Sequence, residues 1–144
     1  MSDSPDLDAT AAALRLAVHR LDRRLRVESG LQEFNLAQTV VLRRLREAGP
    51  LTTSELARLE GVRPQSMSAT VADLVAAGLV DRRPDPNDGR ATLLSLSDRA
   101  EGLILIARGA KENWLVRTIG DRLDAEEQRR LADAIGLLDR LLAP

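Results

Sequence analysis

The sequence predicts a mainly α-helical fold that carries one small β-hairpin. Three observations lead there. Apolar residues recur at three- and four-residue spacings through most of the 144 residues, the mark of helices with one buried face. That period breaks once, between Leu79 and Leu96, where two short runs flank a loop rich in Pro, Asn, Asp and Gly. Capping residues and glycine stops stand at the changes of element.

The first element is a helix over about Leu7 to Val27. Leu7, Leu14, Val18, Leu21 and Leu25 form its apolar stripe, and Arg15, Arg20, Arg23, Arg24 and Arg26 its outer face. Ser29-Gly30 ends it. A second helix runs from about Leu36 to Ala48, carrying Val40, Val41 and Leu45, and stops at Gly49-Pro50. Thr52 and Glu55, three apart, form a capping box that starts a short helix, Thr53 to Glu60, with Leu56 and Leu59 facing inward. Gly61 closes it, and Pro64 suits the first position of the next helix. That helix reaches about Ala77, with Met67, Val71 and Leu74 on one face and Gly78 as its stop.

Leu79 to Arg83 and Ala91 to Leu96 read as strands. Pro84 and Pro86 keep the loop between them out of a sheet interior, and Asn87-Asp88-Gly89 is turn chemistry. Ser97 or Asp98 caps a long helix to about Ile119. Asp124 and Glu127 cap the last one, whose Leu131, Ala134, Ile135, Leu138, Leu141 and Leu142 make a coiled-coil-like seam.

Two short helices around a tight glycine turn, followed by a hairpin with a basic tip, make a winged helix-turn-helix. The arrangement suits duplex DNA, since a helix fills the major groove and a loop tip reaches the adjacent minor groove. With Met67, Val71 and Leu74 turned to the core, Gln65, Ser66 and Ala69 point away, with Ser68 and Thr70 on the flanks. Small hydrogen-bonding residues at a helix start permit close approach to base edges. Arg63 precedes them, and Thr52, Thr53 and Ser54 are candidate phosphate contacts at the start of the preceding helix. At the hairpin tip, Asp88 is expected to brace the guanidinium of Arg90, lowering the entropy lost when an Arg enters a narrow minor groove. Arg82 and Arg83 read equally as phosphate contacts or a solvated strand edge.

Composition narrows the function. The net charge is −1, but Arg15 to Arg63 holds ten Arg against six acidic residues. Of the 21 basic residues all but Lys111 are Arg, whose planar fork suits phosphates and guanine edges; a GC-rich coding sequence accounts for the ratio equally well. Cysteine is absent, which removes disulfides, thiolate metal sites and thiol redox sensing. One histidine, His19, leaves too few imidazoles for a His-rich metal site. No metal or other cofactor is expected. No apolar run spans a membrane, and Met1 to Ala9 is acidic and polar, unlike a signal peptide. A cytoplasmic protein with no membrane partner is expected.

At these residues the chain resembles the MarR (multiple antibiotic resistance regulator) family. The resemblance is carried by Leu51 to Ala57, Ser66 to Val71 and Leu74 to Arg82. Its most specific part is Asp85-Pro86-Asn87-Asp88-Gly89-Arg90, followed by Leu96-Ser97 and Gly102. It is strongest over about residues 34–103. The resemblance implies one 1–144 domain, with a DNA-binding lobe over about 34–97 and dimerising helices over about 6–28 and 98–143. It further implies a homodimer on a palindromic operator, most often a repressor, and, as often in the family, an anionic or phenolic ligand that weakens DNA binding. By matching position, Asp88 and Arg90 are wing residues, and Gln65, Ser66, Ser68 and Thr70 lie where the family contacts DNA. The chain departs from the family in its aromatics, which total 1% with no Tyr. A small organic anion therefore fits the effector better than a phenol, with His19, Phe34 and Trp114 as candidate pocket residues.

The competing readings are weaker. A winged helix can be a protein-interaction adaptor without sequence-specific DNA binding, and the overall acidity would suit that; the basic wing tip favours DNA. His19 and Trp114 have bland readings as packed or interfacial residues, and Phe34 as the anchor of a turn. Catalysis is not expected: there is no thiol, one imidazole, and no phosphate-cradling glycine loop or nucleophile elbow.

Overall fold

The computed structural model describes residues 6–144, so the polar start read at Met1 to Ala9 is seen only from Asp6; its first five residues lie outside the described residues. In chain order the elements are α1 (Leu7–Glu28), α2 (Leu36–Ala48), β1 (Leu51–Thr52), α3 (Thr53–Glu60), α4 (Pro64–Ala76), β2 (Val80–Pro84), β3 (Thr92–Leu96), α5 (Asp98–Arg122) and α6 (Ala125–Leu142). The fold is mainly α with a small antiparallel sheet, a winged helix-turn-helix with flanking helices. Its backbone packs as two units, Gly30–Ala107 and Met1–Ser29 with Arg108–Pro144.

The central unit holds the hydrophobic core. Val41 and Leu45 of α2, Leu56 of α3, Val71 and Leu74 of α4, Leu79, Val80, Leu94 and Ala100 are all buried in one cluster. Full burial of a Leu or Val side chain is worth about 1.5–3 kcal/mol, so this cluster holds the helix-turn-helix in shape. The capping box at Thr52 forms as read from sequence. Thr52 Oγ1 accepts the Glu55 N–H at 3.2 Å, and the Glu55 carboxylate accepts the Thr52 N–H at 2.8 Å. Asn35 and Gln38 close a second box at the start of α2.

Two glycines set the turns. Gly61 adopts φ 64°, which lets the Val62 N–H return to the Ala57 carbonyl at 3.0 Å. Gly78 adopts φ 75°, and beside it the Leu79 N–H reaches the Leu74 carbonyl at 2.9 Å while the Gly78 N–H reaches Val75 at 3.0 Å. That pair is a Schellman closure, and only glycine takes its left-handed position without strain.

The sheet differs from a plain hairpin. β2 and β3 pair antiparallel with Val80 opposite Leu96 and Arg82 opposite Leu94. β1 adds a third strand on the other side of β3, pairing Leu51 with Leu94 and Thr52 with Leu93. A two-residue strand carries no periodicity, which is why only the hairpin was legible. The strands begin at Val80 and Thr92, one residue later than expected, because Leu79 belongs to the Schellman closure and Ala91 to the loop turn.

One helix face needs correction. Leu59, expected inward, is 48% exposed, while Leu56 and Ala57 are buried. At about 100° per residue, the inward stripe of α3 centres on Leu56, Ala57 and Glu60, and Leu59 lies about 110° from it. Glu60 occupies that stripe because Arg44 of α2 meets it, Nε at 2.7 Å and Nη2 at 2.6 Å from the same carboxylate oxygen. Of the two caps considered for α5, Ser97 is the one used, accepting the Ala100 N–H at 3.1 Å. α5 continues to Arg122 rather than Ile119, leaving only Leu123 before the Asp124 cap of α6.

The terminal unit is built from α1, α6 and the later part of α5. Asp6 caps α1, accepting the Asp8 and Ala9 N–H groups at 3.0 and 3.2 Å. Asp124 and Glu127 close the box that starts α6, both bonds 2.9 Å. Neither α1 nor α6 has a buried residue, although both carry the apolar stripes read from sequence. No helix among the described residues is long and apolar enough to cross a membrane.

Candidate nucleic-acid interface

The phase of α4 decides what it can present. Met67, Val71 and Leu74 are buried, and that fixes the opposite face. Gln65, Ser66, Ser68 and Ala69 are exposed there, and Thr70 is half-buried. Thr70 donates its hydroxyl to the Ser66 carbonyl at 3.1 Å, so its proton is engaged within the helix. Arg63 holds an extended conformation at the N-cap without a side-chain cap bond, and Pro64 follows at the first helical position. The first turn of α4 is thus left without a side-chain acceptor over its N–H groups, in a setting favourable to anions.

Thr52, Thr53 and Ser54 lie at the start of α3. Thr52 serves twice, in the sheet opposite Leu93 and in the capping box. Thr53 is half-buried and Ser54 exposed. The sheet thereby fastens the start of α3 to the central strand of the wing.

In the wing, Arg82 and Arg83 are both exposed, but as successive strand residues they face opposite sides of the hairpin. They do not form a paired cationic site. The loop from Asp85 to Ala91 is ordered by its own side chains and backbone. Asp85 accepts the Asn87 N–H at 2.9 Å, and Asp88 accepts the Arg90 N–H at 3.0 Å. The Asp85 N–H reaches the Ala91 carbonyl at 3.0 Å, and the Ala91 N–H reaches the Asp88 carbonyl at 3.0 Å. This corrects the expected brace: Asp88 holds the Arg90 backbone, not its guanidinium. The preference of a carboxylate for the N–H two residues on explains the outcome. Asp88 thus orders the tip and leaves the Arg90 guanidinium outward on an exposed residue.

The candidate pocket residues fall in different units. Phe34 packs against the core of the central unit. His19 is exposed on α1, and Trp114 is half-buried on α5 in the terminal unit. The Arg24 guanidinium lies 5.4 Å from the Trp114 ring centroid and 2.6 Å from the Glu28 carboxylate. Trp114 therefore has a packing partner in the cation above its ring.

Sequence reasoning missed the Arg44–Glu60 pair, which fixes α2 against the end of α3. The partners are sixteen residues apart, and no local pattern relates them. It also missed the second half of the Ser97 contacts, described below.

Residues 34–92 match the sequence model of the MarR family. An uncharacterized HTH-type transcriptional regulator of Mycobacterium leprae is 38% identical over 138 residues, covering 95% of this chain and 96% of that protein. The crystal structure of a transcriptional regulator of Pseudomonas aeruginosa, itself described as putative, superposes with a TM-score of 0.81 at 36% identity, covering 97% of this chain and 99% of the other. An S. aureus MepR mutant bound to oligodeoxyribonucleotide shares the fold, with a TM-score of 0.72 at 16% identity over 93% of this chain and 98% of that one.

Proposed function

The chain belongs to the MarR family of HTH-type transcriptional regulators, and from that premise we propose that it is a repressor that binds a palindromic DNA operator as a homodimer. The observation that carries the reading is the face of α4. Three buried apolar residues fix the helix so that Gln65, Ser66 and Ser68 stand exposed at its first turns. In this reading the chain is one 1–144 domain, residues 34–97 read DNA, and 6–28 and 98–143 dimerise. The MepR mutant bound to oligodeoxyribonucleotide supports a nucleic-acid partner for this fold.

Gln65 and Arg90 have different tasks. Gln65 reads a base edge in the major groove, while Arg90 enters the minor groove, whose pattern is degenerate. Gln65→Ala should relax discrimination at one base position per half-site by about 1–3 kcal/mol. Arg90→Ala should weaken binding to all sequences with little change in preference. Binding measured on a panel of single-base operator variants separates the two. An equal loss for Gln65→Ala on operator and random DNA would show that the assigned helix face is wrong.

The effector in this reading is a small organic anion, in keeping with an Arg-rich α1 and few aromatics. Saturating effector should lower operator affinity about fivefold to a hundredfold, which needs only about 1–3 kcal/mol of coupling. Salicylate-like and aliphatic carboxylates, titrated into the protein–operator complex at fixed ionic strength, test it. Affinity unchanged through millimolar amounts of each would remove this effector class.

A further inference from the structure

Ser97 is only 8% exposed, and it lies where the chain leaving α4 meets the start of α5. Its Oγ donates to the Gly78 carbonyl at 2.6 Å and accepts the Ala100 N–H at 3.1 Å. Its backbone N–H reaches the Leu79 carbonyl, and its carbonyl takes the Glu101 N–H, both at 3.0 Å. A hydroxyl offers one proton and two lone pairs. The lone pair caps α5; that is an ordinary N-cap. The proton goes elsewhere, to a carbonyl one residue beyond the C-cap of α4. The hydroxyl dipole thus joins the electronegative end of one helix to the electropositive end of the other.

We propose that Ser97 is a positioning residue for base reading: its donor half holds the C-terminal end of α4 against the start of α5. The proposal rests on the DNA-binding reading above. Its physical basis is leverage. α4 spans 13 residues, about 20 Å at 1.5 Å per residue, so a tilt of about 5° at its C-terminal end moves its first turn by about 1.7 Å. Hydrogen bonds to base edges do not survive a displacement of that size. Attraction to the phosphates, which is longer-ranged and non-directional, does. The loss therefore falls on discrimination, not on general affinity for DNA.

The experiment uses the full chain and a duplex selected from a random pool by the wild-type protein, with an unrelated duplex as reference. A wild-type protein that selects no sequence defeats the DNA-binding reading itself, whatever Ser97 does. If it does select one, Ser97→Ala should lower affinity for the selected duplex about tenfold, the scale of one buried hydrogen bond, and change reference affinity less than about twofold. Ser97→Thr, which keeps both halves of the hydroxyl, should restore discrimination. Ser97→Asp keeps an acceptor for the cap but has no proton to give, and should behave as Ser97→Ala does. Circular dichroism establishes that each variant is folded. Equal losses on both duplexes, wild-type discrimination in Ser97→Ala or Ser97→Asp, or failure of Ser97→Thr to restore it overturns the proposal. So does a finding that neither Ser97→Ala nor Ser97→Asp folds, since Ser97 would then serve folding and not positioning.

Discussion

Leu74→Ala is expected to lower the unfolding free energy by about 2–5 kcal/mol, the range for a truncated, fully enclosed leucine. Leu74 is 0% exposed and lies in the cluster that joins α2, α3, α4 and the sheet. Its carbonyl also accepts the Leu79 N–H that closes α4. A domain of this size is stable by only about 5–15 kcal/mol, so the loss takes a large share of the whole. Leu59→Ala provides the control. The same chemical change at a residue 48% exposed should cost within about 0.5 kcal/mol beyond the small difference in helix propensity. Urea titrations followed by circular dichroism check both. Equal midpoints for the two variants would contradict the core described above.

What the sequence made legible follows from which interactions are local. The starts of α3 and α6 were readable because a capping box links residues only three apart, and the stops at Gly61 and Gly78 because a left-handed turn selects glycine. The exposed face of α4 followed from Met67, Val71 and Leu74, since three core positions fix a helix's phase. Leu59 was misplaced for the converse reason: α3 is short, and its true stripe includes Glu60, an acidic residue drawn inward by a partner on another helix. β1 has two residues and no period, so its pairing with β3 could emerge only in three dimensions. At the wing tip the spacing of Asp88 and Arg90 was legible, but not which of Arg90's donors the carboxylate would take. The nearer backbone N–H won because it needs no long side chain to be ordered. The Ser97 hydroxyl likewise showed its local half, the cap, and concealed its long-range half, the bond to Gly78.

The second large effect concerns assembly, where the sequence's apolar stripes and the exposure in the structure meet. α6 carries Ile135 at 51% and Leu142 at 81% exposure, with Leu141 beside them, and α1 carries Leu7, Val18 and Leu21, all exposed. Apolar surface repeated along two helices of one unit is costly to leave in water. A second copy of the same chain offers the same stripes and can cover them by two-fold symmetry. The wild-type protein is therefore expected to scatter light as a dimer of the 15.7 kDa chain at micromolar concentration. Ile135→Asp combined with Leu142→Asp, seven residues apart on one face, should yield a monomer that keeps its helical content, because neither side chain is buried within its own chain. Operator affinity should then fall by about 10²–10⁴, the advantage that linking two half-site contacts confers. The loss should be much smaller on an isolated half-site, where a dimer has no second contact to make. Light scattering and binding to one and two half-sites, the two centred about 10 base pairs or a multiple apart, measure each part. A wild-type monomer, or a double variant that remains dimeric with full operator affinity, would place the assembly surface elsewhere on the chain.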